Sequence, residues 1–336
     1  MYPIMIFIKK GIRVLAAGVL AFFILSVFSA FYYNLPAHEA SPTLSTNHIW
    51  TPNQRHSRGT EGFSYGITDA NGFNNVTIPE HINFLIMGSS QMEAFNVLPE
   101  ESTSFQLGSL LSAQGYDMNV YNIGISGHDL VNCVNNLHNA VEEFGPTHYV
   151  LIETLNYRFS TEQMLLAADG ALQRENTASN GIISQLQKST YLRLMYRQLS
   201  SFLKSQNTVD HTSSNLEINA DEYRTALDTF LGAAASQMPE NCQLIILLDD
   251  ALILDENNLP LPRTEDFFYT AFRDSCIKHN ILFVDMRNPF INLYLESNQF
   301  PHGFSNTRVG TGHLNKHGHR VIAQTIFDVI TEEGKD

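Results

Sequence analysis

Five short apolar segments, ending in Gly, Ser or Asp and separated by amphipathic stretches, constrain the fold of this chain more than any other feature of its sequence. The apolar segments are Asn83–Met87, Val120–Ile125, Tyr149–Leu155, Gln243–Leu248 and Ile281–Val284, and helical patterns lie near residues 103–114, 129–143, 221–237, 265–278 and 316–331. Such alternation is typical of parallel strands whose connecting helices cover both faces of one sheet. We therefore predict an α/β domain in three layers, α/β/α, with a parallel central sheet.

A run of 20 residues without a charge, Val14–Tyr33, precedes this alternation. A helix of that length spans about 30 Å, the thickness of one hydrocarbon core. Three basic residues lie just before the run, whereas the first acidic residue, Glu39, follows it, so the charge pattern predicts a cytoplasmic N-terminus and a domain on the outer, periplasmic or extracellular side. A cleaved signal peptide is the alternative, but the run is long and ends in Phe31, Tyr32 and Tyr33 instead of small residues.

The chain therefore divides into four parts. We expect a cytoplasmic segment at residues 1–13, a transmembrane anchor at 14–33, a tether at 34–80 that wraps onto the domain, and the folded domain at 81–336. Residues 157–220 are too long for one crossover and are expected to form a helical insertion. Its predicted helix runs through Leu186–Leu203, and the helical spacing of Leu192, Met195 and Leu199 favours a core-facing role.

Charge and cysteine content exclude several classes of protein. The 20 basic and 34 acidic residues give a net charge of −14, which disfavours nucleic acid and anionic lipid headgroups as partners. The three cysteines, Cys133, Cys242 and Cys276, lack the spacing of a metal site or a disulfide framework. One pair could bridge in an oxidising compartment, and Cys242 with Cys276 is the favoured pair because both precede predicted strands.

Polar residues follow several of the predicted strands, where open parallel sheets bind their ligands. Gly88-Ser89-Ser90 follows the first strand, a glycine-rich segment that includes Gly127 follows the second, and Asn156 follows the third. A segment with three histidines, His313, His317 and His319, precedes the last helix. Each feature alone is weak evidence, but together they supply a hydroxyl, backbone donors, an amide and an imidazole at one end of the sheet.

This set of residues resembles the SGNH, or GDSL-like, hydrolases. Ser90 stands where that family has its nucleophile, Gly127 and Asn156 where it has oxyanion-binding residues, and His313 where it has its histidine. The resemblance covers residues 70–332 and implies a flavodoxin-like sheet order. It also implies that Ser90 attacks an ester, that His313 acts as the base, and that the amides of Ser90, Gly127 and Asn156 hold the oxyanion.

The sequence departs from the family at one catalytic position. The family has an aspartate three residues before its histidine, whereas this chain has Gly310. A Ser–His dyad, a backbone carbonyl or an acid from another loop could orient His313 instead. By their placement at strand ends, Asp285 and Asp250 are the nearest candidate acids.

The resemblance implies an exported serine esterase or O-acyltransferase that acts on O-acyl groups, such as acetyl groups, of an envelope carbohydrate. We expect no cofactor; a metal bound by His313, His317 and His319 is the less favoured alternative, because no nearby carboxylate completes a site. A membrane-bound protein that supplies acyl groups is a candidate partner. Hydrolysis and transfer share one acyl-enzyme, so the sequence does not separate them. The alternative is a non-catalytic envelope protein that keeps the fold for binding or assembly, which Gly310 favours.

Overall fold

We describe the chain from a computed structural model. The structure describes residues 2–46, 48–172, 191, 192, 194–196, 199, 219–263 and 265–333. Most of the predicted insertion and its helix Leu186–Leu203 therefore lie outside the described residues. Within that predicted helix, the described residues 191, 192, 194–196 and 199 are helical, and the described start of the insertion, residues 157–172, contains another helix.

An apolar helix and five short strands form the N-terminal region. They are α1 (Tyr2–Tyr32), β1 (Tyr33–Asn34), β2 (His38–Glu39), β3 (Ile49–Trp50), β4 (Arg55–Arg58) and β5 (Ser64–Ile67). Within α1, residues Lys9–Tyr32 are long and apolar enough to span a membrane or to act as a signal anchor. β1, β4 and β5 form an antiparallel sheet in that order, and β2 pairs with β3. The segment predicted as a tether thus contains paired strands that begin directly at the end of α1.

A parallel sheet of five strands forms the centre of the domain. Its strands are β6 (Phe84–Met87), β7 (Val120–Asn122), β8 (Tyr149–Thr154), β9 (Gln243–Leu248) and β10 (Leu282–Asp285). Their order is β10-β9-β8-β6-β7, and every neighbouring pair is parallel. Counted within this sheet, the order is 2-1-3-4-5, which is flavodoxin-like and reverses direction beside β6. The predicted fold class, a parallel sheet between two layers of helices, is confirmed.

Side chains that alternate along the strands build two hydrophobic cores, one on each face of the sheet. In β6, Phe84 and Ile86 enter one core, whereas Leu85 and Met87 enter the other. Both sets are buried, since parallel strands with helices on each face are apolar at nearly every position. This double burial explains why the strands read as continuous apolar segments in the sequence.

Eight α-helices and one short 3-10 helix, Pro99–Glu101, follow α1 in the continuous stretches of chain that the structure describes. The α-helices are named here in chain order. They are α2 (Ser90–Glu93), α3 (Thr103–Ala113), α4 (Leu130–Phe144), α5 (Thr161–Ala168), α6 (Ala220–Ser236), α7 (Phe267–Lys278), α8 (Arg287–Ser297) and α9 (Lys316–Glu333). Side chains of α4, α6 and α7 pack on one face of the sheet, and those of α3, α8 and α9 pack on the other. Side-chain caps define several starts, such as Asp129 at α4 and Asp266 at α7.

Two expectations from the sequence need correction. Met195 and Leu199, expected to face the core, are 52% and 58% exposed. The favoured Cys242–Cys276 bridge is absent, because all three cysteines are free and buried. Burial raises the pKa of Cys242 to about 11, which keeps that thiol protonated.

Candidate active site

Ser90 lies at the point where the strand order of the sheet reverses. It follows β6 through Gly88 and Ser89, and it is the first residue of the short helix α2, whose N-terminal cap is Ser89. The Ser89 side chain accepts a hydrogen bond from the backbone of Gln91 at 3.1 Å, which fixes the start of the helix. The strand-to-helix turn therefore holds the Ser90 hydroxyl at the carboxyl edge of the sheet, where ligands of such folds bind.

The Ser90 hydroxyl contacts the imidazole of His313, and the sequence predicted that these two residues lie together. Ser90 Oγ is 3.0 Å from His313 Nε2. The side chain of Gln91 joins the two segments, because its Oε1 accepts from the backbone of Leu314 at 2.6 Å and its Nε2 donates to the carbonyl of Gly312 at 3.3 Å. The residue after Ser90 thus holds both neighbours of His313.

Glu61 supplies the carboxylate that faces His313. Its Oε2 lies 2.8 Å from His313 Nδ1, and its Oε1 accepts from the His313 backbone N–H at 2.9 Å. A carboxylate can only accept here, so Nδ1 carries the proton and the neutral ring presents the Nε2 lone pair to the Ser90 hydroxyl. The three groups form one hydrogen-bonded chain from carboxylate to imidazole to hydroxyl.

The close approach of Glu61 depends on glycine at position 312. A Cβ at Gly312 would lie 2.4 Å from Glu61 Oε1, and the residue has a φ of +92°. A second contact comes from Arg58, whose guanidinium lies 3.7 Å from Glu61 Oε2. Burial alone would raise the pKa of Glu61, but the hydrogen bonds and charge of His313, with the charge of Arg58, outweigh it and lower the pKa to about 2. Glu61 is therefore ionised near neutral pH.

The structure places neither Asp285 nor Asp250 beside His313, which corrects that expectation. Asp285 accepts two hydrogen bonds from Arg263, at 3.0 and 3.2 Å, and one from Tyr269 at 2.8 Å. Asp250 pairs with Arg263 and Arg287. Both aspartates neutralise largely buried guanidinium groups at the ends of β9 and β10.

The sequence gives little sign of Glu61. It lies 252 residues before His313, in a segment that the sequence predicts as a tether and not as a helix or strand of the domain. Only the fold brings the two together, so the tether segment contains a site residue that local pattern does not reveal.

Gly127 and Asn156 flank Ser90 on the two strands adjacent to β6. Gly127 follows β7, has a φ of +86° and is exposed. Asn156 follows β8 and is also exposed, and its turn is fixed by Thr154, whose Oγ1 donates to the Asn156 carbonyl at 2.8 Å and accepts its N–H at 3.2 Å. Both residues therefore lie at the same edge of the sheet as Ser90.

A buried glutamate supports the loop that contains Gly127. Glu93, at the end of α2, accepts hydrogen bonds from Trp50 Nε1 at 2.7 Å and from the backbone of Ser126 at 3.2 Å. Burial raises the pKa of Glu93 to about 7, although these hydrogen bonds oppose the shift. The carboxyl group of Glu93 thus connects α2 to the N-terminal region through Trp50 and to the Gly127 loop through Ser126.

A second buried acidic group lies behind the nucleophile turn. Glu153 accepts from the backbone of Ser89 at 2.8 Å, and His302 Nε2 lies 3.1 Å from a carboxylate oxygen of Asp249. Burial, and then the neighbouring charge of Asp249, raise the pKa of Glu153 well above its usual range. His302 also pairs with Leu314 through a backbone bridge, so this group connects the strand ends to the histidine segment.

His317 and His319 do not join His313 in a ligand set. His319 is buried and its Nδ1 lies 2.9 Å from Thr103 Oγ1. Burial lowers the pKa of His319 to about 3, so it is neutral. Among the residues that the structure describes, no group of three or more His, Cys, Asp or Glu side chains could hold a metal ion.

Comparisons with known proteins give structural likeness at low sequence identity. No protein-family model and no curated protein matches the chain. Among solved structures, it is similar to the psychrotrophic esterase EstA from a Pseudoalteromonas species, with 16% identity and a TM-score of 0.41 over 76% of this chain and 100% of that one. It is also similar to an acetyl xylan esterase (14%, 0.40, 74% and 99%) and to a putative acylhydrolase from Bacteroides fragilis (13%, 0.35, 74% and 86%). At such identities and TM-scores, the likeness carries no information about the substrate.

Proposed function

We propose that this protein is a serine esterase or O-acyltransferase of the SGNH type that works through an acyl-enzyme. The observation that carries the proposal is the hydrogen-bonded chain from Glu61 to His313 to Ser90, with contacts of 2.8 and 3.0 Å. A serine hydroxyl is a weak nucleophile unless a base removes its proton and a third group orients that base. These three side chains meet both conditions.

The reaction follows from the positions of the protons. As Ser90 Oγ bonds to the carbonyl carbon of an ester, His313 Nε2 takes the hydroxyl proton and Glu61 stabilises the resulting imidazolium. The tetrahedral intermediate then collapses, the bond to the leaving alcohol breaks, and that alcohol receives the proton from Nε2. Water or a sugar hydroxyl next attacks the acyl-serine with His313 again as base, which releases an acid or a new ester.

The negative oxygen of the intermediate needs hydrogen-bond donors beside Ser90. We assign this role to the backbone amides of Ser90 and Gly127 and to the side-chain amide of Asn156, because their segments leave three adjacent strands at the same edge. One such donor is worth about 2.7–4 kcal/mol in the transition state. Loss of the Asn156 amide should therefore slow turnover on the order of 100-fold or more while leaving the exposed turn folded.

The remaining parts of the proposal concern location and substrate. We infer a single-pass anchor at α1 with the domain on the outer side, from the basic residues before the span and the acidic ones after it. An O-acylated envelope carbohydrate is the proposed substrate, with a membrane-bound acyl donor as a candidate partner. Gly310 favoured the alternative of a non-catalytic binding protein, whereas the carboxylate of Glu61, 2.8 Å from His313 Nδ1, supports the catalytic function.

Labelling with a fluorophosphonate probe tests the proposal. The full-length protein in detergent should be labelled and should hydrolyse p-nitrophenyl acetate, and Ser90→Ala should abolish both. The matched control is Ser109→Ala on α3, a serine whose hydroxyl donates to the carbonyl of Phe105 in its own helix at 2.8 Å, and it should behave as the wild type. A folded wild-type protein that is neither labelled nor active would contradict an activated serine and favour the binding protein.

A further inference from the structure

The helix α1 joins the domain without a linker. β1 begins at Tyr33, the residue directly after α1. The backbone of Gly59 donates to the carbonyl of Tyr32 at 2.7 Å, and the hydroxyl of Ser57 donates to the carbonyl of Ala30 at 3.1 Å. Strand β4 is therefore bonded to the last turn of α1, and the direction of the helix fixes the orientation of the small antiparallel sheet.

A groove of about 960 Å³ lies between the end of α1 and strand β5, and its walls are largely apolar. Four of its apolar side chains beyond α1 are exposed, Phe63 by 61%, Tyr65 by 60%, Ile67 by 53% and Val76 by 52%, and the charged Arg55 and Glu100 lie at the same groove. Phe28 and Phe31 of α1 also line the groove and are exposed as well. Exposed apolar side chains gathered in one place mark an interaction surface, whereas scattered ones do not.

The alternation along β5 is the reverse of that in a strand that faces water. Phe63, Tyr65 and Ile67 point outward, whereas Ser64 is fully buried and Gly66 lies against His56, so that a Cβ there would be 2.7 Å from the His56 ring. In a sheet with one solvated face, polar residues point outward and apolar residues point inward. The outer face of β5 is therefore built for an apolar environment.

Described helical residues of the insertion contact α1 and include exposed apolar side chains. The ring of Tyr191 contacts that of Phe22 in α1, with centroids 5.7 Å apart, and Phe22 lies about 15 Å along the helix before Tyr32. Met195, Tyr196 and Leu199 are exposed. The described part of the insertion thus contributes exposed apolar side chains close to α1.

We propose that the apolar face formed by the end of α1 and by Phe63, Tyr65, Ile67 and Val76 is a membrane-binding surface. It lies on the bilayer that α1 spans, and lipid acyl chains occupy the groove. The occupant is lipid because the groove is continuous with the apolar surface of α1, and because the junction holds this face beside the point where α1 ends. Glu61 precedes Phe63 by two residues, at most about 7 Å of extended chain, so the surface brings the candidate active site close to the bilayer.

Fluorescence quenching by brominated lipid tests this surface in the full-length chain. Single cysteines at Tyr65, Phe63, Phe31 and Ile277 would be labelled with an environment-sensitive dye, since the three native cysteines are buried. The protein would be placed in nanodiscs of phosphatidylcholine and phosphatidylglycerol, with and without bromine near the top of the acyl chains. Phe31 reports on the end of α1, and Ile277, 67% exposed at the end of α7, reports on the opposite edge of the sheet.

The proposal predicts loss of emission at Tyr65 and Phe63 comparable to the loss at Phe31, and no loss at Ile277. Quenching at Phe31 without quenching at Tyr65 and Phe63 would show that the domain stands away from the bilayer and would overturn the proposal. No quenching at Phe31 would overturn it too, because α1 would then not lie in the membrane. Blue-shifted emission at Tyr65 that bromine does not quench would assign the surface to a second copy of the chain and would equally overturn it. None of these results depends on esterase activity.

Discussion

Glycine at position 312 allows the carboxylate of Glu61 to contact His313 twice. A Cβ there would lie 2.4 Å from Glu61 Oε1. We expect Gly312→Ala to displace Glu61 and to lower kcat for p-nitrophenyl acetate on the order of 100-fold, since a displacement of about 1 Å at an active site has effects of that size. The initial rate of p-nitrophenol release by the purified full-length protein would measure this change in kcat.

Gly115→Ala is the matched control for that substitution. Gly115 has a φ of +83°, close to the +92° of Gly312, but nothing lies within 4 Å of a Cβ at that position. The control therefore imposes a similar backbone strain without touching the site and should keep the wild-type kcat. Equal kcat values for the two variants would mean that the contact between Glu61 and His313 does not limit turnover.

The buried Glu93 makes the stability of the domain depend on pH. Its folded pKa of about 7 is above the ordinary value of 4.5, so the folded state holds a proton that the unfolded state has lost. The contribution of Glu93 to the free energy of unfolding is therefore complete below about pH 4.5 and is lost as the pH rises toward 7. For a shift of this size, the loss is about 3 kcal/mol. We expect Glu93→Gln to reduce this decline in urea unfolding measured from pH 5 to 8.

The side-chain oxygen of a glutamine can still accept from Trp50 and Ser126, so the substitution removes the titration and keeps those contacts. Glu142→Gln, on the exposed side of α4, is the control and should leave the pH dependence as in the wild type. A decline in Glu93→Gln as steep as that of the wild type would assign the pH dependence to other groups.

At the scale of elements, the side chain of Asn306 fixes the backbone of the loop that presents Glu61. Asn306 Oδ1 accepts from the backbone of Gly62 at 2.9 Å, and its Nδ2 donates to the carbonyls of Gly59 at 2.9 Å and Gly62 at 3.0 Å. Each hydrogen bond contributes about 1 kcal/mol. We expect Asn306→Ala to loosen the loop and to lower kcat about tenfold or more, with KM nearly unchanged, since turnover depends steeply on the placement of Glu61.

The neighbouring Ser305→Ala is the control, because Ser305 is exposed and lies one residue away. It should give wild-type kcat and KM. If Asn306→Ala also kept the wild-type kcat, the loop would be held by its other contacts and the assigned role of Asn306 would be wrong.

How far the sequence predicts each element depends on where its stabilisation comes from. The strands β6, β8, β9 and β10 were predicted to within about one residue, because burial on both faces makes them apolar throughout. Strands β1 to β5 were not predicted, because segments of two to four residues are too short to be identified from the sequence alone. Helix α8 was missed as well, since Pro289 stands in its first turn, where proline is tolerated but is also a common breaker.

The same reasoning explains what the sequence revealed of the site. Ser90, Gly127 and Asn156 follow strands, so their placement at one edge follows from the parallel sheet itself. Glu61 belongs to a hairpin whose position is fixed by contacts distant in sequence, such as those of Asn306. Candidates chosen from strand ends, Asp285 and Asp250, therefore found the correct edge but the wrong acid.

For the whole molecule, the charge pattern around α1 predicts an orientation in the membrane. Basic residues before the span and acidic residues after it predict that the domain lies outside. A membrane-impermeant maleimide should therefore label Ile277→Cys in intact cells, whereas the wild-type protein, with three buried cysteines, should give only background. Labelling of Ile277→Cys that requires permeabilised cells would place the domain in the cytoplasm.

The most direct test of the account is the turnover of p-nitrophenyl acetate by Glu61→Gln, compared with Asp285→Asn and Asp250→Asn in the same full-length protein. Each variant should first be shown to be folded by circular dichroism. If Glu61 orients His313, Glu61→Gln lowers kcat by about 10²–10⁴-fold with KM little changed, and the two aspartate variants stay near the wild type. A Glu61→Gln protein as active as the wild type, or a comparable loss in Asp285→Asn or Asp250→Asn alone, would contradict the assignment of Glu61 to the active site.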